Sequence, residues 1–407
     1  GKASEFSTGF SILVPAFETR EEFLRALINS VLAQTCGNWE LILADASKTD
    51  RVSEVVKEYT DSRIRYHRLK ENLGISGNTN EALKTATGEY VALLDQDDLL
   101  TEDALFECAS VIEAYRKDNL ELRMLYSDED KCNSNGTSFY EVNRKPEFNL
   151  DLILSNNYIC HLLVMQRELM QELGFRSSVD GAQDHDIILR AVDRMMGEDR
   201  HAARKAKLPI AHIPKVLYHW RCYEGSTSEN PESKRYAYEA GRRAVEDFLK
   251  AREYQADVVH TCHLGFFRVN YQPDLLSNRP DVAVVGGKLI DRHNRVVGGI
   301  YNENREPLYL GLHKEYSGYM HRASCQQEAY AVDVRCMICS GEAQTVWEEL
   351  TGLPYAVQPH TGYFLYQDVL KKDADYEELS FRFCEELRRR GKRIVWDPEM
   401  VQRVDGR

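Results

Sequence analysis

Four short apolar runs separated by helical patterns open the chain, and that alternation leaves few folds available to it. FSILVPAF (10–17), WELILAD (39–45), IRYHRL (64–69) and YVALLD (90–95) read as strands. Between them Phe23, Leu24, Leu27, Ile28 and Val31 recur at helical spacing, as do Val52, Val55 and Val56, and then Ala82 to Ala86 behind SGNTNE. Strand, helix, strand order of this kind builds a parallel α/β sheet, whose ligands sit beyond the carboxyl ends of the strands. Polar residues gather at those ends: Glu18, Asp45 to Asp50, and Asp95 to Asp98.

At 407 residues the chain exceeds what one hydrophobic core usually serves, so two domains are expected. The amphipathic stretch from about Glu232 to Ala251, followed by the polar SNRPD and the new strand VAVVGGKLI, marks a boundary near residue 255. That gives domains of 10–255 and 256–407. In the second, DRHNR signals a hairpin, a strand is expected from Ala331 to Cys339, and a helix from Tyr376 to Arg390 stops at Gly391. No Gly-rich phosphate loop follows the boundary.

A formal charge of -13, from 52 basic and 65 acidic residues, argues against a nucleic-acid partner held by bulk electrostatics. No run of about 18 apolar residues appears and no signal peptide opens the chain, so a soluble, cytoplasmic protein is expected. The opening GKASEFST has the small, polar look of a vector-derived tail, which leads us to expect native sequence upstream. Scattered cysteines such as Cys160 in YICHLLV fit reduced thiols. The lone CxxC of Cys336 and Cys339 lacks a second pair at metal-site spacing and reads as strand packing.

The sharpest local signal is Asp95-Gln96-Asp97-Asp98 directly behind the apolar EYVALL. Three carboxylates at a strand end repel one another unless a cation or hydrogen bonds offset the charge. Taken alone, the run also fits an acidic turn or a helix cap before LLTEDALFE.

Together SILVPAFETREEFLRALINSVLAQT, WELILADASKTD, NLGISGNTNEALKTATGEYVALLDQDDLL and VLYHWR resemble the inverting glycosyltransferases of family two. The resemblance implies the GT-A nucleotide-diphospho-sugar transferase fold, α/β with a mostly parallel central sheet, and a smaller α+β domain behind it. LYSDEDK, LSNNYICHLLV, DGAQDHDIILR and YHWRCYEGSTS look closest to the bacterial branch associated with rhamnan and other surface polysaccharides. The resemblance further implies roles for individual residues. Pro15, Ala16, Phe17 and Glu18 would grip the nucleotide, and Asp45 would accept from a pyrimidine N3-H; Ala46 stands where the family more often has a second acid. Asn72, Gly74 and Asn78 resemble the loop over the nucleotide-sugar. Asp95 and Gln96 would face the donor, while Asp97 and His219 would hold a divalent metal, manganese or magnesium. Asp184 takes the place of the general base, preceded by Gln183 where Glu is commoner, and Asp186 is near enough in sequence to raise its pKa if both face the cleft.

Two other features have no assigned role: Asp128, Glu129 and Asp130 either line the acceptor side or form a solvated turn, and His161 either faces the active site or fills the core, the core being favoured because no partner is in view. From VAVVGGKLI onward the chain is similar to an acceptor-side half of the same family, with Tyr376 at the position of the base, so no second transferase site is expected. Glycan binding, homodimer formation and packing remain open for it. The expected reaction moves a hexosyl or rhamnosyl group from a UDP- or dTDP-sugar to a hydroxyl of a glycan or lipid-linked glycan. With no spanning helix, work at the inner face of the cell membrane requires a peripheral contact. A donor-making nucleotidyltransferase is disfavoured because PAFETREE replaces the Gly-rich basic loop. A non-catalytic scaffold that binds nucleotide-sugar or glycan is the alternative.

Overall fold

The computed structural model describes residues 6–197, 207–224, 226, 235–355 and 374–404. The vector-like start (1–5) and the onset of the amphipathic stretch at Glu232 lie outside the described residues. The chain forms two compact units, Gly1–Phe148 with Asn157–Met196 and Leu208–Phe248, and Asn149–Asn156 with Gly197–Lys207 and Leu249–Arg407. A single cut near residue 255 was the expectation from sequence; the units interleave instead, because short segments within the first stretch, Asn149–Asn156 among them, group with the second.

In the first unit the chain runs β1 (Phe10–Ala16), α1 (Glu21–Leu32), β2 (Trp39–Asp45), α2 (Arg51–Val56), β3 (Ile64–Arg68), α3 (Gly74–Lys84) and β4 (Tyr90–Leu93). These strands pair in parallel in the order β3-β2-β1-β4. β1 and β2 are buried almost throughout, as central strands covered on both faces must be. The helical repeat of α1 buries Phe23, Leu24, Leu27, Ile28 and Val31 against the sheet. Next come β5 (Leu99–Leu100), α4 (Ala104–Lys117), β6 (Met124–Cys132) and β7 (Phe139–Asn143). After α5 (Leu150–Ser155), the first unit resumes with β8 (Leu163–Gln166), α6 (Arg167–Leu173), α7 (Gln183–Met196) and β9 (Ile210–Arg221), and α8 (Arg235–Ala251) runs out of it. β8 is antiparallel to both β4 and β6, β6 and β9 are parallel, and β5 and β7 are antiparallel edges. The sheet is therefore parallel from β3 to β4 and mixed beyond.

α5 is the segment that belongs to the second unit. Asn149 caps it by accepting from the Leu152 N–H at 3.0 Å, and the same side chain bonds both backbone groups of Glu328. Asp151, buried, receives both Nη groups of the buried Arg279 at 2.9 and 3.3 Å. The Arg279 guanidinium also holds Asp281, at 2.9 Å through Nε.

The rest of the second unit comprises β10 (Ala256–His260), β11 (Phe267–Tyr271), α9 (Leu275–Asn278), β12 (Val282–Ile290), β13 (Val296–Gly298), β14 (Ile300–Tyr301), β15 (Gln327–Glu328), β16 (Ala331–Val332), β17 (Met337–Cys339), α10 (Gly341–Thr351), α11 (Tyr376–Arg389) and β18 (Arg393–Arg403). Its centre is the parallel pair β12 and β18, packed over Trp347, Phe383 and Trp396. The strand expected from Ala331 to Cys339 is two strands. Between them the Asp333 carboxylate accepts from the Arg335 N–H at 2.9 Å, and that local turn breaks the extension. Cys336 and Cys339 are buried free thiols, and burial pushes Cys336 up to about 12. No helix among the described residues is long and apolar enough to cross a membrane.

Candidate active site

The parallel strands end on one edge of the sheet, and the register fixes which side chains meet there. Ala16 lies beside Asp45 in the β1–β2 pair, with Pro15 beside Ala44. Phe17 then emerges, half exposed, while Glu18 turns back. The Glu18 carboxylate accepts from the Lys48 and Thr49 N–H groups at 2.6 and 3.0 Å and from the Thr49 hydroxyl at 2.6 Å. Those bonds, the Thr49 hydroxyl first, lower its pKa. Asp45 is fully buried and accepts from the Ser47 N–H at 2.9 Å and the Tyr66 hydroxyl at 2.6 Å. The loops behind β1 and β2 are thus laced together.

The loop behind β4 joins them through Gln96, whose Oε1 accepts from the Phe17 N–H at 2.9 Å and the Thr19 hydroxyl at 2.6 Å. Of the three carboxylates, Asp98 is structural: it is buried and accepts from the Tyr218 hydroxyl at 2.5 Å and the Arg221 N–H at 2.9 Å. Burial, with Asp95 nearby, holds it well above the usual carboxylate range. Asp97 accepts from the Tyr223 hydroxyl at 2.7 Å, and burial raises its pKa too. Asp95 keeps about half of its side chain exposed and meets His161 Nε2 at 3.3 Å.

His161 joins the two halves of the site. Its ring stacks on Tyr218 with centroids 4.8 Å apart. Burial alone would favour neutral imidazole, but the carboxylates of Asp95, Asp184 and Glu129 outweigh it and lift the pKa to about 9. Asp184, in the first turn of α7, is pushed up to about 6 by burial, with Asp95 adding to the shift and His161 opposing it. Ligand atoms of Cys160, His161 and Asp184 lie within 4.8 Å of one another.

Three expectations need correction here. His161 does have a partner, Asp95, supplied by the loop behind β4. Asp186 faces away from Asp184, because it is buried in ion pairs with Arg176 and with Arg190, the latter at 2.8 Å. Asp128, Glu129 and Asp130 do not form a solvated turn. They are buried in β6, where Asp128 meets His212 at 2.8 Å, Glu129 meets Lys145 at 3.4 Å and Asp130 meets His219.

Each member of the predicted metal pair has a partner of its own. His219 gives its Nδ1 to Asp130 and packs on Phe139 with ring centroids 4.1 Å apart, while Asp97 is held by Tyr223. Gly74 and Asn78 lie in the first turns of α3 and not on an open loop. Asn72 Oδ1 accepts from the Gly74 N–H at 3.1 Å and the Asn78 amide at 2.8 Å, and Asn78 returns a bond to the Leu73 N–H. Gly74 has φ +76°, and a Cβ there would lie 2.6 Å from Asp180 Oδ2. Asp180 also accepts from the Ser76 N–H at 3.2 Å, which joins the start of α3 to the segment leading into Asp184. Asp180, Tyr218 and Tyr223 escaped sequence reasoning. Tyr218 had one available signal, as the neighbour of His219 on the same strand.

Residues 11–174 match the family model Glycosyl transferase family 2. The chain carries a family 2 glycosyltransferase domain. The stretch covers the edge just described from β1 through β8, including Asp45, Asp95, Asp97 and His161. Among curated relatives, an uncharacterized protein of Sinorhizobium fredii is 41% identical over 243 residues, 59% of this chain and 25% of its own. The O-antigen biosynthesis protein RfbC of Myxococcus xanthus is 30% identical over 282 residues, 68% of this chain and 20% of its own. An Escherichia coli protein named UDP-Glc:alpha-D-GlcNAc-diphosphoundecaprenol beta-1,3-glucosyltransferase WfgD is 31% identical over 166 residues, 40% of this chain and 63% of its own. The chain thus spans a quarter or less of the first two. Among solved structures, Staphylococcus aureus TarS 1-349 aligns with a TM-score of 0.44 at 20% identity, over 59% of this chain and 65% of that one. The family 2 domain is accordingly related to proteins of bacterial polysaccharide biosynthesis.

Proposed function

We propose that the family 2 domain is an inverting glycosyltransferase that uses Asp184 as its general base. The observation that carries this reading is the position and state of Asp184, in the first turn of α7 beside His161 and Asp95 with its pKa raised to about 6. A carboxylate of that basicity is largely ionised at neutral pH and still able to take a proton from an alcohol as the alcohol attacks. The acceptor oxygen forms its bond to the anomeric carbon, the bond from that carbon to the diphosphate oxygen breaks, and the hydroxyl proton passes to Asp184. A single displacement of this kind inverts the anomeric centre.

Asp45, with Pro15 to Glu18 beside it, is the proposed seat of a uracil or thymine base, and Asn72, Gly74, Asn78, Asp95 and Gln96 complete the donor side. Family 2 transferases commonly use a divalent metal, and the donor set suits one. Asp97 is a buried carboxylate with a second, half-exposed one, Asp95, close enough to raise its pKa, and two oxygen ligands so placed suit a hard divalent cation. Asp130 on His219 Nδ1 selects the tautomer that leaves Nε2 a lone pair, an arrangement common behind metal-bound histidines. Asp97 and His219 would therefore hold manganese or magnesium, which when bound would neutralise the diphosphate leaving group.

The names of the relatives support a bacterial surface glycan, free or lipid-linked, as acceptor, and the sequence resemblance favours the rhamnan branch with a dTDP-rhamnose or UDP-hexose donor. A lipid-linked acceptor would place the reaction at the cytoplasmic face of the membrane. We further propose that residues 256–407 are a partial, non-catalytic copy of the family's acceptor side. At the place of the base, Tyr376 opens α11 and lies under the Arg335 guanidinium.

The decisive experiment is titration calorimetry of UDP and dTDP with and without manganese, on the wild type and on Asp97→Ala, followed by donor turnover in Asp184→Asn. Metal-dependent binding of one nucleotide, lost in Asp97→Ala, with turnover lost in Asp184→Asn, is the expected result. Absence of binding to either nucleotide would replace this reading with that of a scaffold.

A further inference from the structure

The second unit contains a cavity of about 600 Å³, within the range of roughly 300–1,000 Å³ typical of ligand sites. Nothing in the proposed reaction uses it. Val285, Ile338 and Met400 give it an apolar floor, and Asn270, Gln326, Ser340 and Asp397 supply polar groups.

The charges decide what such a cavity accepts. Arg268 is its cation, and that guanidinium is committed: both Nη groups donate to Asp397 at 2.9 Å, and Nε lies 3.1 Å from Glu399. Asp274 adds another carboxylate to the lining. An anionic ligand would meet more negative than positive charge and lose its hydration without a cation to replace it. The remaining recognition groups are neutral and held in place. Asn270 accepts from Arg268 Nε at 3.1 Å, which orients its amide hydrogens as donors. Gln326, buried, donates to Asp397 at 3.3 Å and so presents its oxygen as an acceptor. Ser340 accepts from the Ala343 N–H at 3.2 Å as the cap of α10 and retains its hydroxyl hydrogen for a ligand.

We propose that this cavity binds a neutral, hydroxyl-rich ligand, a pyranose segment of a glycan, whose C–H face covers the apolar floor while its hydroxyls meet Asn270, Gln326 and Ser340. The inference does not depend on the catalytic assignment, since every residue it uses lies in the second unit.

The test is ligand-observed saturation-transfer NMR on the full chain with cellohexaose, laminarihexaose and chitohexaose, and a hyaluronan hexasaccharide as the anionic comparison. Saturation of at least one neutral oligosaccharide is expected, unchanged in Asp184→Asn. It should fall at least tenfold in Ile338→Trp, which fills the floor, and severalfold in Asn270→Ala, whose exposed side chain can be cut back without opening the core. If Ile338→Trp fails to fold, Asn270→Ala alone decides. Absence of binding by all three neutral sugars, binding that survives the cavity variants, or a preference for hyaluronan would overturn the proposal.

Discussion

Replacing Arg279 by alanine should unfold the second unit well before the first. The Arg279 side chain is completely buried and donates to Asp151 at 2.9 Å, Asp281 at 2.9 Å and the Tyr271 hydroxyl at 3.3 Å. Removing it strands Asp151, which is itself buried, and leaves Asp281 its longer ion pair with Arg393 at 3.7 Å. Breaking a buried pair from one side costs about 3–5 kcal/mol, because the surviving charge has lost its partner but not its burial. At about 2–4 °C per kcal/mol for a domain of this size, the melting point of the second unit should drop by about 6–20 °C. Asp151→Ala should cost less, since Arg279 keeps Asp281. The loss in Arg279→Ala should also shrink on acidification. Burial already holds Asp151 above the ordinary carboxylate pKa, so the folded state binds its proton more tightly than the unfolded state does. Stability linked to such a group is present below the unfolded pKa and disappears as pH rises through the folded one. Denaturant melts of wild type, both single variants and the double variant at pH 7 and pH 4, monitored by tryptophan fluorescence, measure all of this. A penalty for Arg279→Ala below about 1 kcal/mol at pH 7, the scale of an exposed ion pair, would refute the reasoning.

The remaining expectations concern the first unit. With the Asp184 pKa at about 6, kcat/KM should fall about tenfold for each pH unit below that value and level off above it, because the base acts only when ionised; a flat acid limb would exclude Asp184. His161→Ala should move that acid limb to higher pH, since His161 opposes the rise in the Asp184 pKa, and a pH series of initial rates reads the shift directly. Gly74→Ala should cost about 1–2 kcal/mol for the left-handed backbone and weaken nucleotide binding, because the new Cβ displaces Asp180 from the start of α3; calorimetry and thermal melting separate the two effects.

Strands β1 to β4 were legible because each is a local apolar run whose period needs no distant partner, and the acidic turn behind β4 was legible because the same runs put it at a strand end. What could not be read depends on partners far away in sequence. His161 looked unpartnered because Asp95 reaches it from the loop behind β4, 66 residues earlier in the chain. Asp186 looked like a neighbour of Asp184, yet the helix turns it toward Arg176 and Arg190. The acidic run in β6 looked solvated because its partners, His212, Lys145 and His219, arrive from three separate segments. α3 begins at Gly74, earlier than its apolar repeat, because Asn72, Asn78 and Asp180 organise its first turn with polar bonds.

The crossing of α5 from one unit to the other has a consequence for birth on the ribosome. Asp151 leaves the exit tunnel 128 residues ahead of Arg279, a wait of about 6–26 s at translation rates of roughly 5–20 residues per second. Until β11 follows near the end of that interval, Leu150 to Ser155, which end up buried, lack the second-unit strands β11 and β15 that they contact. The nascent first unit must therefore tolerate an apolar loop between β7 and β8. A ribosome stalled shortly after α8 should display that loop to chaperones, and a gene cut at the same point would leave it exposed for good.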